Sequence, residues 1–230
     1  MTPLIKIMLK VGIVASCLGN GAMASYVDFT IGGLTGNSNV FMGSVDGIGY
    51  TLTSTGGNIK FDGDYGYDGA SNTGCQSGGG QLECNTDGSG RRAGDGAGIK
   101  NDEITEGQTM SLMFDTAVRI LSLEFLDLYK GRGVEQATVS IDGTFINTVD
   151  AIGSNSDGGY AQLNLGGLIL GLGQKIELTA ASGSAFRDDG TNDYAFAAAT
   201  VSAVPVPAAF WLFGTALLGL FGFSKRKKAA

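Results

Sequence analysis

Ala137-Thr138-Val139-Ser140-Ile141-Asp142-Gly143-Thr144-Phe145-Ile146-Asn147-Thr148-Val149 decides the fold. Ala137, Val139 and Ile141 alternate with Thr138 and Ser140, the period of two expected of a half-buried strand. Asp142-Gly143 supplies a two-residue turn, since Gly takes positive φ at no steric cost. Residues 144–149 then return, so the stretch predicts a β-hairpin.

The same rhythm runs outward from it. Short apolar runs between Gly, Asn and Asp clusters predict strands at 26–31, 49–54, 58–62, 109–114, 118–129, 162–165, 168–170, 175–180 and 194–201. Helix signals are almost absent between residues 25 and 203. That span of about 180 residues is enough for one domain with a real core. The chain has 39 glycines but no collagen-like period, and no internal repeat suggests a solenoid. Many short antiparallel strands in such a domain predict an all-β protein, an antiparallel β-sandwich of jelly-roll type. The run 118–129 predicts a central strand with both faces covered. From 62 to 102 the chain turns to Gly, Asp, Asn and Ser, a long excursion between strands.

Three features of the body carry chemistry. Asp62, Asp64 and Asp68 lie within seven residues, with glycines between them that allow a tight curl. Calcium takes six to eight oxygen ligands, and loops of this composition supply them, although the spacing is not that of an EF-hand. Solvated turn residues are the competing reading, because Asp, Asn and Gly are common turn formers. Asn101-Asp102-Glu103, and Asp188-Asp189 through Asn192-Asp193, are further oxygen clusters. Cys75 and Cys84 stand nine residues apart, and in an oxidising compartment they read as a local disulfide stabilising by about 2–3 kcal/mol at best.

Enzymatic readings fare poorly. The chain has no His, so Ser-His-Asp and Cys-His triads cannot form. No G-x-S-x-G, P-loop or dinucleotide motif occurs in its structural context. Among 22 acidic residues no carboxylate pair stands out as a glycosidase centre, which leaves a secreted carboxylate hydrolase as the weakest reading. Most aromatic rings fall at strand positions and read as core. Loop tyrosines Tyr65 and Tyr67 are the candidates for stacking on sugar.

Both ends read as export signals. Lys6 and Lys10 precede a short apolar region at 11–18 and an Ala22-Met23-Ala24 cleavage site, so residues 1–24 predict a signal peptide. Val14-Ala15-Ser16-Cys17 is a rival lipobox, but only six residues separate Lys10 from Cys17. At the other end, Val204-Pro205-Val206-Pro207 precedes an uncharged apolar stretch at 208–223. Together with 204–207 it reaches the roughly 20 residues of a transmembrane helix. Lys225, Arg226, Lys227 and Lys228 follow as a cytoplasmic stop.

The tail, residues 204–230, resembles the PEP-CTERM sorting signal of Gram-negative bacteria. The resemblance rests on Pro205-Val206-Pro207-Ala208-Ala209, then Trp211-Leu212-Phe213-Gly214, Leu217-Leu218-Gly219-Leu220 and the Lys225–Lys228 cluster. Val206 departs from the name-giving Glu, and is similar to variants with an apolar residue there. The resemblance implies a membrane protease-transpeptidase, exosortase, as processing partner. It also implies transit through the inner membrane by the C-terminal helix, then a place at the cell surface or outside the cell. Proteins with this tail resemble structural or adhesive components of an exopolysaccharide or biofilm matrix. An ordinary uncut membrane anchor is the competing reading. The alternative function is a calcium-assisted carbohydrate-binding module with polysaccharide as partner.

Charge agrees with export. All 22 acidic residues lie between Asp28 and Asp193, whereas six of the 15 basic residues sit in the two end signals. The body therefore has nine basic residues against 22 acidic, a net of −13 where the whole chain has −7. Such a surface repels nucleic acid and anionic headgroups.

Overall fold

The computed structural model describes residues 23–31, 34–61, 82, 96–100, 103–130, 133–152, 159–182 and 192–205. Among these the secondary structure is all strand: β1 (Ala24–Asp28), β2 (Val40–Val45), β3 (Ile48–Thr55), β4 (Ile59–Phe61), β5 (Ala97–Ile99), β6 (Ile104–Thr105) and β7 (Thr109–Phe114). Then come β8 (Val118–Leu126), β9 (Gln136–Ile141), β10 (Thr144–Asp150), β11 (Ala161–Leu170), β12 (Lys175–Ala180) and β13 (Asp193–Ala203). They form two antiparallel sheets, the expected β-sandwich. One runs β10-β9-β12-β7-β3-β2; the other runs β11-β8-β13-β5-β4, with β1 and β6 also paired to β13.

β13 is the spine of the seven-stranded sheet. Along one edge it pairs with β8 from Ala195 to Ala203. Along the other it meets β6 at Asp193 and Tyr194, β5 at Phe196, and β1 from Ala198 to Ser202. Its sequence, DYAFAAATVSA, is rich in alanine, so neighbours approach closely on both faces.

Period-two alternation sends one face of each strand inward. Leu52, Met110, Leu112, Val139, Ile176 and Leu178 from one sheet meet Ile120, Leu123, Phe125, Phe196, Ala199 and Val201 from the other, all fully buried. Aromatic edges fill the centre: Phe125 and Tyr194 meet edge to face at 5.6 Å, and Phe29 and Phe196 lie 5.1 Å apart. Such pairs add about 0.5–1.5 kcal/mol beyond the area they bury.

The predicted hairpin is β9–β10, with Asp142 and Gly143 at φ 48° and 78°. Strands 109–114 and 175–180 fall where expected. Elsewhere the boundaries move. Strand 118–129 stops at Leu126, because Asp127 turns the chain at φ 55°. The runs at 162–165 and 168–170 are one strand, β11, interrupted by a bulge at Gly166 and Gly167. Three strands were not expected: β2, β5 and β6. β5 lies inside the 62–102 excursion, with Ala97 and Ile99 fully buried, so that segment contributes to the core. The C-terminal apolar stretch at 208–223 lies outside the described residues; among those described, no helix is long and apolar enough to cross a membrane.

Candidate functional site

The strongest polar constellation outside the core sits on the outer face of the seven-stranded sheet. β8 carries Glu124 between Leu123 and Phe125, and only 4% of it is exposed. Across the ladder it faces Gln162 of β11 on one side and Ala198 of β13 on the other. Ala198 is too small to fill its place, so Tyr26 of β1 reaches over β13 and donates its hydroxyl to Glu124 Oε2 at 2.8 Å. Gln162 Nε2 lies 3.4 Å from Oε1. Tyr160 stands beside the carboxylate, near enough for Glu124 to raise the ionisation of its hydroxyl. Its position depends on Gly159, held at φ 63°, where an added Cβ would collide with the Leu128 amide nitrogen.

This cluster is half apolar. Leu126, Ala197 and Ala198 form its floor, Leu82 covers it, and both tyrosine rings pack against it. Burial pushes the Tyr26 and Tyr160 hydroxyls well above the usual phenol range, and the neighbouring Glu124 pushes them further. Both therefore stay proton donors at any physiological pH. Glu124 is occupied by its donors and shielded from solvent. Chemically the group is a clamp tying β1, β8 and β11 together, and the loss of any one donor from a buried carboxylate is costly.

A second buried network closes one end of the sandwich. Tyr129 donates its hydroxyl to Asp127 Oδ1 at 2.7 Å and its backbone N–H to Glu135 Oε2 at 2.6 Å. Asn192 accepts from the Gln136 amide at 2.8 Å and donates to the carbonyls of Gln136 and Ala181. Asn192 and Asp193, expected as part of an oxygen cluster, are buried at 2% and 6% exposure. A buried polar side chain that satisfies backbone groups this way holds strand ends together.

Most of the sequence candidates lie outside the described residues. Asp62, Asp64 and Asp68, the Cys75–Cys84 pair, Tyr65, Tyr67, Val206, Pro207 and the Lys225–Lys228 cluster lie outside the described residues. So do Asn101, Asp102, Asp188 and Asp189, while Glu103 is described and its carbonyl accepts from the Ile99 amide at 2.9 Å. Among the described residues no group of three or more acidic or thiol side chains could hold a metal ion. Pro205 is described and exposed; it follows β13 directly, after Val204 donates to the Ala117 carbonyl at 3.1 Å. The tail thus leaves from the spine of the sheet.

Sequence reasoning missed Glu124, Asp127 and Glu135. A signal existed for the first two, since both interrupt the apolar run 118–129. Glu135 and Asn192 stand among turn-forming residues and had none. No protein-family model matches the chain, and no curated protein matches it in sequence.

Proposed function

We propose that this chain is an exported, non-catalytic surface protein, sorted by its C-terminal signal through an exosortase-like enzyme. It has a structural or adhesive role in an exopolysaccharide or biofilm matrix. The carrying observation is the tail: Pro205-Val206-Pro207, the apolar stretch at 208–223 and the cluster Lys225–Lys228, paired with an export signal at 1–24. The body suits that role. Its net of −13 favours solubility, and the strongest buried polar groups act as clamps between strands. The strand order supports a jelly-roll reading. β1-β13-β8-β11 and β7-β12-β9-β10 form two four-stranded halves, and apart from the β9–β10 hairpin the chain crosses from one to the other at each step of this eight-strand frame. The β2–β3 hairpin, β4, β5 and β6 are additions to that frame.

The test is the mass and location of the mature protein in its own host. The expected species begins near Ser25 and has lost or exchanged the residues after the Pro-x-Pro motif. Deleting Lys225–Lys228 should leave export intact but change the mature mass, because the basic stop fixes the helix in the membrane. An unchanged mass and location in the deletion strain would sink the sorting reading. Calcium-assisted binding through Asp62, Asp64 and Asp68 is the second reading, resting on three carboxylates that repel one another unless a cation or water separates them.

A further inference from the structure

The register of the six-stranded sheet lines up side chains that are far apart in sequence. Thr55 of β3 opposes Thr109 of β7. Thr138 of β9 opposes Thr179 of β12 on one side and Thr148 of β10 on the other. One step beyond the Leu178–Met110 pair, the same register sets Thr179 opposite Thr109. Five threonines from five consecutive strands therefore form one row across the sheet. Each faces outward, because the flanking Ser54, Met110, Ala137, Val149, Leu178 and Ala180 face in. With strands about 4.8 Å apart, the row is about 19 Å long.

The next row, about 6.7 Å further along the strands, is Val40, Thr53, Ser111, Glu177, Ser140 and Phe145. Met42, Thr51, Met113 and Lys175 form a third. Charge on this field cancels locally. Lys175 Nζ lies 2.7 Å from Glu177 Oε1, and Glu177 Oε2 also accepts from the Gly143 amide at 2.6 Å. Asp150 stands at the β10 margin, bonded to Gln136. On a body with a net of −13, this is a field of hydroxyls and methyls whose central carboxylate, Glu177, is paired with Lys175. Large apolar groups lie off the threonine row: Phe145, 63% exposed, is one row away at the β10 edge, and Met42, 72% exposed, and Met113 are two rows away.

We propose that this face binds a neutral, extended polysaccharide, with the five-threonine row as its contact line. The proposal rests on the exported adhesive reading and gives that reading a ligand class. A pyranose chain presents alternating hydroxyl edges and C–H faces, the same mixture that a threonine row presents. An anionic polymer is disfavoured by the surrounding carboxylates. A protein partner is less suited to the contact line itself, since the energetic centres of protein interfaces are poor in Ser and Thr. Rows in fixed register also suit a ligand with a repeat better than an irregular one.

The test uses the full chain in mild detergent and three insoluble probes: cellulose, chitin and β-glucan powders. Wild type should be retained on at least one of them. Thr109→Val, Thr138→Val and Thr179→Val together keep the β-branched shape, remove three hydroxyls and should lower retention at least ten-fold at unchanged melting temperature. Should that variant fail to fold, Thr138→Lys alone, at a half-buried surface position, should also abolish retention. Ile169→Ser, at an exposed position of the other sheet, should have no effect. Absence of wild-type retention on all three probes overturns the proposal, as does equal retention by the threonine variants. Ice-recrystallisation inhibition or self-association without glycan retention, lost in the threonine variants, assigns the row elsewhere and also overturns it. Mature mass and location in the host are measured separately, so failure here leaves the sorting reading intact, and failure there does not touch the binding result.

Discussion

Tyr194 buries its hydroxyl completely in the core beside Phe125, with no hydrogen-bond partner among the described residues. That burial pushes its ionisation well above the ordinary 10.0. Tyr26 is raised too, first by burial and then by its bond to Glu124. In the unfolded chain both lose protons near pH 10, while in the folded chain they keep them. Above that pH the folded state binds more protons than the unfolded state, so stability falls as pH rises. The fall is about 1.4 kcal/mol per pH unit for a fully buried group. Urea unfolding followed from pH 7 to 11 should therefore be flat at first and drop beyond pH 10. The two tyrosines separate at neutral pH. Tyr194→Phe removes a hydroxyl with no partner, so it should be neutral or stabilising and should flatten the alkaline drop. Tyr26→Phe strips a donor from buried Glu124 and should cost about 1–3 kcal/mol. A Tyr194→Phe variant that loses more than about 1 kcal/mol at pH 7 would contradict the core geometry described.

At the scale of elements, the two Asp-Gly hairpins set strand register. Asp46-Gly47 and Asp142-Gly143 adopt nearly the same conformation, φ 49° and 80° against 48° and 78°. A Cβ at either glycine meets nothing within 4 Å, so any penalty for replacing it is a backbone penalty alone. Gly143→Val should lower stability by about 1–2 kcal/mol in thermal melts, and Gly143→Asn by much less, since Asn tolerates the left-handed region. Equal melting temperatures for the two would show that the turn relaxes freely. The hairpin at 142–143 was legible in the sequence because strict alternation flanks it. The one at 46–47 was not, although its dipeptide is identical. β2 reads Val-Phe-Met-Gly-Ser-Val, three apolar residues in a row, because an edge strand leaves Val40 and Met42 exposed. β5 was hidden for another reason: Ala-Gly-Ile has too little side chain to signal a strand. It is held by close approach, with Gly96 at φ 121° against the Phe196 carbonyl. The threonine row could not be read at all before the fold. Alternation marks Thr138 as outward, but only register sets it beside Thr148 and Thr179, and register belongs to pairing rather than to any one strand. Glu124 was half legible: a carboxylate inside an apolar run is visible, but the tyrosines beside it come from 98 residues upstream and from beyond the hairpin.

Over the whole molecule, charge is the dominant long-range term. The stretch from residue 25 to 203, with a net of −13, repels itself when compact, and this costs stability at low ionic strength. Sodium chloride should therefore raise the melting temperature by screening, with most of the gain complete once the Debye length falls to about 8 Å near 0.15 M. Calcium at matched ionic strength separates screening from binding. If Asp62, Asp64 and Asp68 form a site, a cation held only by the folded state adds stability by mass action, about 2.7 kcal/mol at a hundred-fold excess over its dissociation constant. Melting temperature should then be higher in millimolar calcium than in EDTA plus sodium chloride of equal ionic strength. The triple variant Asp62→Ala, Asp64→Ala, Asp68→Ala should lose that difference. It should also gain a little stability in EDTA, because three mutually repelling charges have gone. Identical curves for wild type in the two media would reduce 62–68 to a solvated turn. A calcium response kept in full by the variant would move the cation to another part of the acidic surface. In either case the calcium-assisted carbohydrate reading loses its support. The threonine face, which needs no cation, would then be the remaining route from this fold to a polysaccharide.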